Sequence, residues 1–169
     1  MTYQGESLLP GNIGYFFVTL SFTMAFLSLI AYFMYARDRE GQYSWRNLGR
    51  LAFGIHGLAT IGVMVTMFYL IYNHMFEYQY VWSHSSETLP TKYMISCFWE
   101  GQEGSFLLWS FWHIVLGAVL IGVARRWEGS VMTFIMVAQV ILGSMLLGIS
   151  VGDVSIGSNP FVLLRNAKP

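Results

Sequence analysis

Four stretches of the chain contain no Asp, Glu, Lys or Arg: Ile13 to Ala36, Leu51 to Phe76, Ser105 to Ala124 and Ser130 to Val151. At about 1.5 Å rise per residue, roughly 20 apolar residues cross a hydrocarbon core near 30 Å thick, so each stretch predicts one membrane-spanning helix. Only 11% of the 169 residues are charged and 55% are hydrophobic, whereas about a quarter of the residues in a soluble domain carry charge. The expected fold is all-α: a polytopic integral membrane protein with a single membrane domain over 1–169, helices at 13–36, 51–76, 105–124 and 130–151, and a long outer loop over 77–104.

The intervals between these runs differ in sign. Arg37, Arg39, Arg46 and Arg50 outweigh Asp38 and Glu40 in the first, and Arg125 and Arg126 mark the third, while Glu77, Glu87, Glu100 and Glu103 face only Lys92 in the second. Short Arg-rich loops stay on the cytoplasmic side, which predicts an outer central loop and two outer termini. The first run has no Lys or Arg ahead of it and no small-residue cleavage pattern after it. It is too long for a signal-peptide core and is expected to remain as an anchor.

The central interval mixes Tyr78, Tyr80, Trp82, Tyr93, Phe98 and Trp99 with Ser83, His84, Ser85, Glu100 and Glu103. Aromatic and polar residues interleaved in this way suit a segment lying at a bilayer surface. Glu103, Gly104 and Ser105 fall at the start of the third helix, where a carboxylate is favoured by unpaired amides and the helix dipole. After the fourth run, Ser158, Asn159 and Pro160 supply turn chemistry.

Small residues suggest how the helices pack. Ala52, His56, Ala59, Thr60 and Val63 share one face of the second helix by three-and-four spacing, turning His56 toward a neighbouring helix. Ser144, Gly148 and Gly152, and likewise Ala118 and Gly122, recur every four residues and predict close backbone approach.

Chemistry-bearing patterns are sparse. Nine basic and nine acidic residues cancel, leaving no basic field for nucleic acid. A single cysteine, Cys97, allows neither an internal disulfide nor a cysteine-rich metal cage, and reads as a small buried apolar residue. No metalloprotease, phosphate-loop or nucleophile motif occurs, so neither a catalytic nor a metal site is expected. The four histidines raise a haem ligand as a candidate role. His56 and His113, however, fall roughly 10 Å apart along the membrane normal when their spans are aligned. His74 and His84 lie near the outer surface, where a solvated histidine is ordinary, although His84 has aromatic neighbours able to stack on a flat ring.

A known family enters at the central interval. The order Tyr80-Val81-Trp82-Ser83-His84-Ser85, Leu89-Pro90, Tyr93, Trp99, Glu103-Gly104-Ser105 and Leu107-Leu108-Trp109, followed by Ser158-Asn159-Pro160-Phe161, resembles the N-terminal part of the CcmF/NrfE family of cytochrome c haem lyases. Two positions depart from the family pattern: Glu100 stands where members carry Gly, and Gln102 where they commonly carry His. The resemblance implies haem as cofactor, with apocytochrome c and other cytochrome c maturation membrane proteins as partners, in a bacterial inner membrane. It implies that Trp82, His84, Trp99 and Trp109 contribute to a haem or apocytochrome surface, and that Pro90, Glu103, Gly104 and Ser105 shape the loop. The family's Trp-rich haem-handling segment and ligand histidines have no counterpart here, so the chain is expected to be the first part of a longer protein. A non-catalytic subunit of a respiratory complex or transporter is the alternative reading.

Overall fold

The computed structural model describes residues 7–37, 43–86, 90–151 and 154–166. Among the described residues six α-helices follow one another: α1 (Leu8–Arg37), α2 (Tyr43–Tyr72), α3 (Gln79–His84), α4 (Thr91–Glu100), α5 (Gln102–Val123) and α6 (Glu128–Leu147). Of these, α1, α2, α5 and α6 are long and apolar enough to cross a membrane. A two-stranded antiparallel hairpin, β1 (Ile149–Val151) with β2 (Val154–Ile156), is a small addition to the helical architecture.

All four expected spans change at their ends. α1 starts at Leu8 rather than Ile13, because Pro10 falls in the first turn, where its missing N–H is not needed. α2 begins at Tyr43 rather than Leu51 and so includes Arg46 and Arg50. Its far end stops at Tyr72, short of Phe76, where the chain turns through His74 at φ 51°. α5 and α6 start two or three residues early and end early as well. Gly148 closes α6 in the left-handed conformation at φ 68°, a shape that glycine adopts without steric cost. The interval 77–104, expected as a loop, holds α3 and α4.

α1 packs between α2 and α6, and α5 lies against α6. At the end of the bundle carrying α3 and α4, here the aromatic end, Met67, Leu70, Ile71, Tyr78, Val81 and Phe98 belong to one buried cluster. Toward the arginine end, Ala25, Tyr32, Phe53, Met132 and Met136 form a second. Arg50 of α2 pairs there with Glu128 at the start of α6. The predicted face of α2 is borne out: Ala52, His56, Ala59, Thr60 and Val63 are all 2% exposed or less.

The predicted glycine stripes are corrected. A Cβ on Gly122 would meet nothing, Gly148 is the cap of α6 rather than part of it, and Gly152 lies outside the described residues. The close approaches fall elsewhere. The ring of Phe161 occupies the space a Cβ on Gly14 would need, and the Tyr78 ring does the same at Gly11. The segment after the hairpin therefore returns to α1 and to the start of α3.

Candidate functional site at the aromatic end

The aromatic end is held together through the backbone. Gln79 N–H donates to the Val162 carbonyl at 3.0 Å and Leu164 N–H to the Glu77 carbonyl at 2.8 Å, flanking a bridge between Tyr78 and Leu163. Tyr78 Oη donates to the Ser7 carbonyl at 2.7 Å and accepts the Gly11 N–H at 3.0 Å. The first turns of α1, the entry to α3 and the chain after α6 are thereby tied to one ring.

Tyr80 ties α3 to the α4–α5 junction. Its hydroxyl proton lies between the carbonyls of Phe98 at 2.8 Å and Cys97 at 3.1 Å, and its oxygen accepts the Gly101 N–H at 3.3 Å. Carbonyls at a helix end lack partners within the helix, and a side-chain hydroxyl satisfies them here. Burial pushes the Tyr80 hydroxyl well above the usual phenol range, so it stays a proton donor. Burial, and next the Glu100 charge, likewise push the Cys97 thiol up. Cys97 is 4% exposed, the small buried residue expected.

His84 stacks on Tyr80 with ring centroids 4.5 Å apart. Its Nδ1 lies 3.0 Å from the Tyr80 carbonyl and 2.9 Å from Ser83 Oγ; a carbonyl only accepts, so Nδ1 carries the proton. Gly101 separates α4 from α5 in an extended conformation. A Cβ there would meet the Tyr80 ring at 2.6 Å and His84 Nε2 at 2.9 Å. Gly104 is more confined, because the Phe98 carbonyl oxygen lies where its Cβ would be. Ser105 Oγ donates to the Trp99 carbonyl at 3.2 Å, and Pro90 stands at the N-cap of α4, accepting the Tyr93 N–H at 2.8 Å.

These contacts leave a pocket of about 100 Å³ lined by Gln79, Tyr80, Ser83, His84, Glu103, Ser158 and Asn159. Glu103 stands in the first turn of α5. Asn159 is fixed by its Oδ1, which accepts the Phe161 N–H at 2.9 Å, while its buried Nδ2 has no protein partner among the described residues. The pocket thus combines a carboxylate, an amide donor and an imidazole. Trp82, Trp99 and Trp109 are 59%, 45% and 57% exposed and do not line it. His113 lies on α5 with Nδ1 2.9 Å from the Trp109 carbonyl, and His56 is buried in the bundle. Reading the sequence missed Gly101 altogether, gave Tyr80 no role beyond its place in a motif, and gave Asn159 only turn chemistry, which its bond to the Phe161 N–H fits. The signal for Gly101 was a glycine between Glu100 and Gln102, at the border of an amphipathic and an apolar run.

This is a multi-pass membrane protein in which four apolar helices carry a polar, aromatic-rimmed pocket at one end. In sequence it is similar to the cytochrome c-type biogenesis protein CcmF of Haemophilus influenzae, 31% identical over 91 residues, which is 53% of this chain and 14% of that protein. In structure it is similar to a solved cytochrome c haem lyase CcmF, with a TM-score of 0.77 and 19% identity over 99% of this chain and 27% of the other. The chain therefore spans a minor part of either relative. No family model matches. The resemblance read from the sequence is borne out by the sequence match, and the structural match shows the same fold.

The residues at hand do not fit an enclosed haem. A cavity of about 100 Å³ falls below the roughly 300–1,000 Å³ of cofactor sites. His84 Nδ1 is engaged within α3, and its Nε2 sits against Gly101. Among the described residues, no three His, Cys, Asp or Glu side chains gather as a metal site.

Proposed function

We propose that the chain is the N-terminal four-helix portion of a CcmF-type cytochrome c haem lyase, and that its aromatic end helps present haem to apocytochrome c at the outer face of a bacterial inner membrane. The observation that carries this reading is the convergence of three separate stretches, Tyr80 to Ser85, Glu103 to Ser105 and Ser158 to Phe161, around one pocket. These same stretches carry the family resemblance, and they lie more than 70 residues apart at the extremes. The Arg-rich arginine end faces the cytoplasm in this reading and the aromatic end faces outward.

The chain's own part is to provide a surface. Trp82, Trp99 and Trp109 offer large exposed aromatic faces, which suit flat, apolar ligands and peptide partners. Tyr80, Gly101 and Gly104 fix the α4–α5 corner that carries Trp99. Thioether formation between haem vinyls and cysteine thiols is the family's chemistry, and its iron ligands would come from other parts of the whole protein.

The test is the yield of holocytochrome c in cells making the whole protein with single substitutions, at matched membrane levels. Trp82→Ala, Trp99→Ala and Trp109→Ala are expected to lower the yield severalfold, and Glu103→Gln only slightly. Three silent tryptophan variants together with a null Glu103→Gln would overturn the aromatic-surface reading.

A further inference from the structure

The middle of the bundle holds a polar cluster that the aromatic end does not use. Ser21 of α1, His56 and Thr60 of α2, Ser110 of α5 and Gln139 of α6 border one cavity of about 10 Å³. His56 is 2% exposed and Gln139 1%.

The hydrogen bonds settle where the protons sit. His56 Nδ1 lies 3.0 Å from both the Ser21 carbonyl oxygen and Ser21 Oγ; the carbonyl only accepts, so Nδ1 carries the proton and shares it between the two oxygens, and Nε2 of the singly protonated ring is an acceptor. Thr60 Oγ1 donates to the His56 carbonyl at 3.0 Å, so Ser21 Oγ gives its proton to Thr60 Oγ1 at 2.9 Å. Neither hydroxyl has a proton left for the cavity. Gln139 Nε2 donates to the Ser110 carbonyl at 2.8 Å, which fixes the amide orientation and leaves Oε1 as an acceptor.

Two buried acceptors remain, His56 Nε2 and Gln139 Oε1, without a protein partner among the described residues. His56 and Gln139 line the same cavity, yet two acceptors cannot satisfy each other. A molecule with two protons to give satisfies both. About 10 Å³ corresponds to the lower limit for one water centre, about 10–15 Å³. We propose that this is a one-water site inside the membrane-spanning bundle, in which a single water donates to His56 Nε2 and to Gln139 Oε1 and so joins α2 to α6.

The experiment is solid-state NMR on ¹⁵N-histidine-labelled protein in lipid bilayers at neutral pH, with the His56 signal assigned by its loss in His56→Gln. His56 Nε2 should be unprotonated and should receive polarisation from water protons, and Gln139→Leu should reduce that transfer severalfold. A protonated Nε2, an absence of water transfer, or transfer unchanged in Gln139→Leu would overturn the site. Thermal midpoints provide a second measurement. His56→Leu and Gln139→Leu should each lower the midpoint, and the double variant should fall no further than the worse single one. Additive losses would mean that no shared molecule links the two side chains.

Discussion

Arg50 grips the Glu128 carboxylate with two parallel bonds, Nε to Oε1 and Nη2 to Oε2, both 2.7 Å long. Glu128 is 1% exposed, while the Arg50 side chain keeps 39% of its surface. The two partners therefore respond differently to loss of the other. Arg50→Met strands a buried carboxylate and is expected to cost about 1–3 kcal/mol, toward the upper end. Glu128→Gln leaves an arginine that water can reach and should cost less. Thermal unfolding of both variants in one detergent checks the order.

Gly104→Ala should be strongly destabilising, because the added methyl would collide with the Phe98 carbonyl, a backbone atom fixed at the end of α4. Overpacking of this kind costs about 1–3 kcal/mol or more. Gly122→Ala is the control. Its Cβ meets nothing, and alanine favours a helix over glycine by about 1 kcal/mol, so the midpoint should hold or rise.

Cys97 gives a pH-dependent signal. Its folded thiol holds its proton above the ordinary range, near 8.5 for a free cysteine. From about pH 8.5 upward the unfolded chain has lost a proton that the folded chain still binds, so this residue's stabilising contribution declines as pH rises. Alkylation of native protein, followed by mass spectrometry, should be slow at pH 8 and accelerate at higher pH than for the denatured chain.

Orientation is tested with introduced cysteines in a Cys97→Ser background. One at Ser86, at the aromatic end, should react with a membrane-impermeant thiol reagent in intact cells, and one at Ser44, at the arginine end, should not. The reverse pattern would invert the proposed topology.

The spans and the inward face of α2 were legible because apolar run length and three-and-four spacing are local properties. The start of α2 was not, since it is tied to a group far away in sequence. α2 extends back to Tyr43, where Arg50 has Glu128 to meet, 78 residues on. Glycine spacing also misled: Ala118 and Gly122 have the right interval but face outward, whereas the glycines that matter, Gly11 and Gly14, are matched by rings from Tyr78 and Phe161. At the candidate site, the motifs around His84 and Glu103 could be picked out from the sequence. Their meeting with Ser158 and Asn159 could not, because it depends on the left-handed stop at Gly148 and the hairpin that follows.

The seating of Phe161 on Gly14 also sets an order of events during synthesis. α1 enters the membrane with its Gly11 and Gly14 surface uncovered, and the ring that fills the second position is made 147 residues later (161 − 14). At about 5–20 residues per second, that wait lasts roughly 7–30 s. For this period the nascent chain presents a shallow notch near one membrane boundary. Any insertion factor or neighbouring helix that shields the notch must leave before the bundle can close.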